Sequence, residues 1–108
     1  MQFHLNQYTN VQSLVNAVRQ IQYCRGNTNT TGGLRLARTE VFNTANGDRP
    51  GVPNVLVLIT DGNPTREVDQ LDEEVQRIKG LGVTIVGVGV TNRVSQFVTS
   101  VPFPVILD

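Results

Sequence analysis

The sequence is poor in cysteine and has no excess of basic residues, whereas thiolate-metal sites and disulfide scaffolds need cysteines and nucleic-acid-binding surfaces need positive charge. It contains one cysteine, one histidine and no tryptophan, and its nine basic residues balance nine acidic ones. A single cysteine excludes an internal disulfide, and the charge balance gives no reason to expect nucleic acid or an anionic membrane surface as a partner. We expect Cys24 to be a buried thiol on the apolar side of a helix. We expect His4 to be structural, because a histidine without a nearby second ligand seldom binds metal.

Long hydrophobic runs are also missing. No apolar segment approaches the ~20 residues of a membrane-spanning helix, so we expect no membrane span. The N-terminal sequence MQFHLNQYT has neither the basic start nor the apolar core of a signal peptide. The 108 residues are 39% hydrophobic and 6% aromatic. This composition suits one small globular domain with an aliphatic core.

The most informative stretch is VLVLITDG, residues 55–62. Five consecutive aliphatic residues, Val55 to Ile59, predict a short strand buried on both faces. Thr60, Asp61 and Gly62 then follow at the C-terminal end of the strand, the edge at which open α/β sheets bind ligands. Asp61 is therefore the leading candidate for a functional residue. The alternative is that Asp61 only begins a turn or caps the next helix.

Helices and strands are predicted to alternate along the chain. Apolar periodicity predicts an amphipathic helix over 10–23 with a capping box at Thr9 and Gln12, a second helix from near residue 32, and a third ending near Gly80. The acidic cluster at the start of the third helix, which includes Glu67 and Glu74, is interpreted as a solvated surface. Strands are also expected at 1–5, 83–90 and 104–107, and a short helix is expected around Val94, Phe97 and Val98. This order predicts an α/β fold with a mainly parallel sheet, in which 55–59 pairs with 83–88 and 104–107 lies beyond.

Two polar segments are expected to meet at one edge of this sheet. Residues 25–33, RGNTNTTGG, form a loop without one apolar side chain before the second helix, and the Thr-Asp-Gly turn follows the central strand. Hydroxyl and carboxylate oxygens are hard ligands that suit Mg²⁺ or Mn²⁺. Zinc would favour several histidines and cysteines, and this sequence has only one of each.

These segments occur in an order that resembles a known family. The succession of LNQY, a helix, GNTNTTGGL, VLVLITDG and LGVTIVGVGV covers essentially all of the sequence. It resembles the von Willebrand factor type A domain, and most of all the copies in matrilins and matrix collagens. The resemblance implies a three-layer, Rossmann-like open sheet with helices on both faces. It also implies a non-enzymatic adhesion module of an extracellular matrix protein.

Domains of this family carry a metal-ion-dependent adhesion site, in which an Asp-x-Ser-x-Ser loop, a threonine and an aspartate hold a divalent ion. The open position of the ion takes a carboxylate from the partner. By resemblance, Thr28 matches the family threonine and Asp61 the family aspartate, and Asn27 and Asn63 flank them on the contact surface. The implied partner is a matrix protein such as collagen, or another protein that offers a carboxylate. Asn29-Thr30-Thr31 is also a glycosylation sequon.

The sequence departs from the family pattern in one respect: no Asp-x-Ser-x-Ser occurs in it. We therefore expect residues 1–108 to form a partial domain without the first two strands and the last helix of the family fold. Such a partial core would have an unpaired, hydrophobic sheet edge. Two alternatives stay open, an intracellular scaffold of the same fold and a magnesium-dependent hydrolase or phosphoryl-transfer domain. The second lacks support because the sequence has neither a G-x-x-x-x-G-K-[ST] motif nor a Ser-His pair.

Overall fold

The computed structural model describes residues 1–24, 26, 28–60, 67–90 and 105–107. In these ranges it has three α-helices and three strands, which are α1 (Val11–Arg19), α2 (Thr30–Leu36), β1 (Val55–Thr60), α3 (Leu71–Gly80), β2 (Thr84–Gly89) and β3 (Val105–Leu107). A π-helical turn, Ala37–Val41, continues α2. Short 3₁₀ turns lie at Thr44–Asn46 and Val68–Gln70. The helix predicted around Val94 to Val98 lies outside the described residues.

The three strands form one parallel sheet in the order β1-β2-β3. Val55 lies opposite Thr84 and Thr60 opposite Gly89, while Gly87 to Gly89 face β3. The predicted pairing of the two aliphatic strands is confirmed, as is the third strand beyond them. Parallel strands joined by helical crossovers place all their C-terminal ends at the same edge. Thr60, the last residue of β1, therefore lies at the edge predicted for the site.

The hydrophobic core lies between α2, α3 and one face of the sheet. Its members are Leu34, Leu71, Val75, Ile78, Val83 and Ile85, with Phe42, Leu56 and Leu58 packed against them. The buried apolar residues of α3, Leu71, Val75 and Ile78, recur at intervals of four and three residues, which is the spacing of one helical face. The apolar periodicity that predicted this helix is confirmed at these three positions. The described residues thus form a parallel sheet with a helical layer on it, which is the α/β fold expected.

The other face of β1 contradicts the prediction of a strand buried on both sides. Burial alternates along the strand, and Val55, Val57 and Ile59 are 57 to 68% exposed. Their side chains point away from Leu56 and Leu58, because successive side chains of a strand project to opposite faces. The core side chains of α2 and α3 lie on the Leu56 side only. A run of five aliphatic residues therefore has one packed face and one solvent-exposed face.

The N-terminal segment does not form the strand predicted over 1–5. A strand needs a neighbouring strand to satisfy its backbone groups, and the described strands pair only among themselves. Instead, the backbone N–H of Gln7 donates to the carbonyl of His4 at 3.3 Å. The rings of Phe3 and Tyr8 meet edge to face, with centroids 5.4 Å apart.

Helix α1 is shorter than the predicted helix over 10–23 and begins differently. Its N-cap is Asn10, whose side-chain oxygen accepts from the backbone N–H of Ser13 at 2.8 Å, whereas Thr9 was the predicted cap. The helix ends at Arg19, so Cys24 lies beyond it and is exposed. The prediction of a buried thiol was therefore wrong. None of the apolar side chains of α1 is buried.

Candidate functional site

The threonine-rich loop enters α2 through a side-chain cap. Asn29 is the N-cap, and its Oδ1 accepts from the backbone N–H of Gly32 at 2.8 Å. A Cβ at position 32 would lie 2.8 to 3.0 Å from three atoms of the Asn29 side chain, so glycine leaves the room that the cap needs. The helix consequently begins at Thr30, two residues before the predicted start near 32. Thr28 directly precedes this cap in the sequence.

A cavity of about 380 Å³ lies between this loop and β1. Its walls are Thr28, Asn29, Thr30, Gly33 and Leu34 on one side and residues 56–60 on the other. Thr28 and Thr60 therefore reach the same cavity from two different elements. Asp61 follows Thr60 directly in the sequence but lies outside the described residues, so the convergence of the two polar segments stays a prediction.

The structure places some of the predicted site residues and not others. Thr28 and Asn29 are both exposed at the cavity. Asp61, Asn27 and Asn63 lie outside the described residues, so their assignment stays a prediction. Of the residues surrounding the cavity, Thr30 was not predicted to contribute, and it is buried below the loop.

The donor groups agree in kind with a hard divalent cation. Thr28 offers a neutral hydroxyl oxygen, and Asp61 would add a carboxylate, which are the ligands that Mg²⁺ and Mn²⁺ favour. Across the ranges that the structure describes, no group of three or more His, Cys, Asp or Glu residues could hold a metal. Two oxygen ligands fill only part of an octahedral coordination sphere. These residues therefore fit a portion of a metal site rather than a complete one.

Below the threonine-rich loop, two side chains of α2 contact Glu67, which follows the site in the sequence. Thr31 is fully buried, and its Oγ1 donates to the backbone carbonyl of Glu67 at 2.8 Å. Arg35, one turn further along α2, places Nη1 3.4 Å from both carboxylate oxygens of Glu67. Sequence reasoning missed this contact, because any residue type at position 67 can offer a backbone carbonyl.

A buried carboxylate stabilises the packing of the same helices. Glu74 on α3 is 2% exposed, and its Oε1 lies 2.5 Å from Nε of Arg38. Arg35 and Arg77 approach its other oxygen at 3.9 and 3.7 Å. The hydrogen bond to Glu74 raises the pKa of the Arg38 guanidinium above its ordinary value. The interpretation of the whole acidic cluster as a solvated surface was therefore wrong for Glu74, whose partners lie on the turn after α2, on α2 and on α3.

Among the helices described, none has both the length and the apolar character needed to cross a membrane.

Comparison with known proteins identifies the family. The family profile described as the von Willebrand factor type A domain matches residues 1–101. The chain is 39% identical over 84 residues to mouse (Mus musculus) von Willebrand factor A domain-containing protein 1, covering 78% of the chain and 20% of that protein. It is 36% identical over 95 residues to chicken (Gallus gallus) matrilin-1, covering 88% of the chain and 19% of that protein. The chain thus spans about one fifth of the length of these curated relatives.

Solved structures agree with the fold. Proximal thread matrix protein 1 from the mussel byssus, in a structure whose MIDAS motif is occupied by zinc, superposes with a TM-score of 0.78 at 27% identity. The match covers 98% of this chain and 26% of that one. A second crystal form of the same mussel protein gives a TM-score of 0.79 at 24% identity. With the sequence motifs, the parallel sheet and these matches in agreement, the chain belongs to the von Willebrand factor type A domain family.

Proposed function

We propose that this chain is a protein-binding adhesion module of the extracellular matrix type and has no enzymatic activity. The observation that carries the proposal is the shared cavity at the end of β1. There Thr28 from the loop and Thr60 from the strand line one space, next to the position of Asp61 in the sequence. A concave site with convergent polar groups at this edge is where open α/β sheets bind ligands.

In a domain that also carries the Asp-x-Ser-x-Ser loop, Thr28 and Asp61 would complete the coordination of a divalent ion. We propose Mg²⁺ or Mn²⁺ as that ion, because both favour hydroxyl and carboxylate oxygens. A bound ion supplies an open coordination position for a carboxylate of the partner. Thr28 would contribute its hydroxyl oxygen, and the Asn29 cap would hold that oxygen in place. Asn27 and Asn63 are proposed as part of the surrounding contact surface.

The proposed partner is a matrix protein such as collagen, or another protein that offers a carboxylate, and the proposed location is extracellular. The support is the similarity to matrilin-1 and to a mussel protein described as a thread matrix protein. An adhesion module needs an exposed recognition surface and no nucleophile or general base. The exposed loop of Thr28 and Asn29 suits this role, and none of the described residues around the cavity is a histidine, cysteine or lysine.

Binding to immobilised matrix proteins tests the proposal. The chain, and a version extended upstream to include an Asp-x-Ser-x-Ser loop, would be passed over collagen and over a matrix protein mixture, with Mg²⁺ and then with chelator. We expect saturable binding by the extended version that chelator removes and that Asp61→Ala abolishes. Binding that is unchanged by chelator and by Asp61→Ala would refute a metal-dependent site. Turnover of phosphoester or ester substrates that needs Asp61 would refute the non-enzymatic assignment.

A further inference from the structure

We propose that β1 is a dimerisation edge, at which two copies of this chain pair antiparallel about a two-fold axis at Val57. The inference goes beyond the proposed function, because it concerns residues 55–59 and needs neither a metal ion nor Asp61. Each copy contributes the sheet β1-β2-β3, so the dimer has one continuous sheet with β1 of both copies at its centre.

The backbone of β1 has a free edge on the side away from β2. Val55 lies opposite Thr84 in the parallel ladder, and the N–H of Thr84 donates to the carbonyl of Asn54 at 3.0 Å. Backbone groups of successive residues point to opposite edges of a strand, so the even-numbered residues of β1 bond to β2. The odd-numbered residues direct their N–H and C=O groups to the other edge, where none of the described strands lies. These residues are Val55, Val57 and Ile59.

This edge lacks the features that keep strands from pairing with other chains. Natural sheets protect an edge with charged side chains, proline or a bulge. Residues 54–60 contain no charged residue and no proline, and β1 pairs one residue to one with β2, without a bulge. The side chains beside the free backbone groups are aliphatic and 57 to 68% exposed. The edge is therefore a template for a further strand.

The symmetry of β1 favours a second copy as that strand. In an antiparallel pair, residues directly opposite each other project to the same face. When Val57 faces its own counterpart, Val55 faces Ile59 and Leu56 faces Leu58, so both faces match along the strand. Each pair of odd-numbered residues then exchanges both backbone hydrogen bonds. A formal net charge of zero adds no repulsion between the copies.

The cavity beside β1 has room for side chains of the copy. Its volume is about 380 Å³, and Leu34, Leu56 and Leu58 are among its walls. Because residues 56–60 all line it, odd and even alike, the cavity runs along the edge of the strand. Leu56 and Leu58 of the copy project to the same face as their counterparts and enter this space, which restores packing contacts that an empty cavity lacks. The two-fold axis fills both cavities in the same way. The dimer and a ligand in this cavity therefore exclude each other.

Sedimentation equilibrium of the 108-residue chain alone, from about 1 μM to about 1 mM, measures the association. A reducing buffer is used because Cys24 is exposed and can link copies. We expect a reversible monomer–dimer equilibrium. Val57→Pro removes an N–H that β2 does not use, and it should raise the dimer Kd about thirtyfold through the two bonds lost. Val57→Lys places two ammonium groups opposite each other and should leave only monomer.

The matched control is Val52→Lys, which adds the same charge at a residue 39% exposed outside the strand. It should leave the Kd within about twofold of the original. Circular dichroism and thermal melts show that each variant is folded. Because Val57 lies on the exposed face, Val57→Lys keeps the test decisive if Val57→Pro does not fold. Asp61→Ala should dimerise as the original does, so failure of the metal site and failure of this inference are distinguishable.

Amide hydrogen exchange at low and high protein concentration tests the register. The N–H groups of Val55, Val57 and Ile59 should gain protection as the dimer forms, whereas those of Leu56 and Leu58 are already directed to β2 and should change little. A chain that stays monomeric over the whole concentration range overturns the proposal. A dimer or larger species that persists in Val57→Lys, or that leaves the odd-numbered amides unprotected, overturns pairing through β1.

Discussion

Replacing Arg38 by methionine tests how strongly the buried carboxylate of Glu74 depends on its nearest partner. Glu74 is 2% exposed and Arg38 25% exposed, and their atoms approach to 2.5 Å. Without Arg38, the carboxylate keeps only the guanidinium groups of Arg35 and Arg77 at 3.9 and 3.7 Å. Breaking a buried ion pair by removing one partner costs about 3–5 kcal/mol. Because two arginines remain nearby, we expect Arg38→Met to lower the free energy of unfolding by about 2–3 kcal/mol.

The opposite substitution should cost less. Glu74→Met removes the buried charge and leaves three arginines whose side chains are 25 to 53% exposed, so each can turn towards water. Replacing a buried ion pair by apolar side chains of similar size is often close to neutral, and the arginines left here can reach water, so we expect a loss of about 0–1 kcal/mol. The prediction is therefore an asymmetry of about 2 kcal/mol between the two ends of one ion pair.

Urea unfolding followed by circular dichroism measures both free energies, and the double variant gives the coupling between the two residues. The control is Glu73→Gln on the same helix, which removes an exposed pair with Arg77 and should cost no more than about 0.5 kcal/mol. Equal losses in Arg38→Met and Glu74→Met, or a larger loss in Glu74→Met, would refute the reasoning. A loss in Glu73→Gln as large as that in Arg38→Met would show that burial does not set the magnitude.

Three further predictions concern the loops and caps. Asn10→Ala removes the bond to the backbone N–H three residues on and should cost about 1 kcal/mol of helix stability, seen as lost ellipticity, while Asn10→Ser should retain most of it. Gly47→Ala should destabilise the protein more than Gly51→Ala in thermal melts. Both glycines have positive φ, but a Cβ at 47 would lie 2.6 Å from the backbone nitrogen of Asn6, whereas a Cβ at 51 meets nothing within 4 Å. The sequon at Asn29 should be unoccupied in an adhesive protein, because a glycan there would cover the cavity that Asn29 lines; full occupancy in the intact mass of the secreted protein would argue against a contact surface.

The sequence was sufficient to predict the sheet and the helix that packs on it. The sequence has two runs dense in β-branched residues, Val55 to Ile59 and 83–90, the second of which contains Gly87 and Gly89. A helix between two such runs predicts parallel strands joined by a crossover, as the structure has them. The apolar spacing in α3 identified its buried face. These features depend on residues close in sequence, which is why pattern alone reveals them.

The exposed face of β1 and the burial of Glu74 could not be predicted in this way. An aliphatic run looks the same whether a second layer covers it or not, so the exposure of Val57 depends on packing that the local pattern does not contain. A glutamate among other acidic residues is usually solvated. Its burial depends on Arg38, which lies 36 residues away in the sequence and comes close only in the folded protein.

The same distinction holds for the candidate site, of which one part could be predicted from the sequence and another could not. Thr28 and Asp61 were predicted from motif and resemblance; the structure places Thr28 at the cavity, and Asp61 lies outside the described residues. The bond from Thr31 to the Glu67 carbonyl was not predictable. It joins residues 36 positions apart, and its acceptor is a backbone atom that every residue possesses.

Thermal unfolding with Mg²⁺ and with chelator tests the central claim that Asp61 and Thr28 belong to a divalent-ion adhesion site. The 108-residue chain should respond weakly, because one hydroxyl and one carboxylate leave most of an octahedral sphere to water. A version extended upstream with an Asp-x-Ser-x-Ser loop should be stabilised by about 2–3 kcal/mol at a hundredfold excess over Kd. Asp61→Ala should abolish that gain and leave the chelator melt unchanged, since Asp61 follows the last residue of β1 in the sequence. Equal shifts with Mg²⁺ in the extended protein and its Asp61→Ala variant would contradict the account.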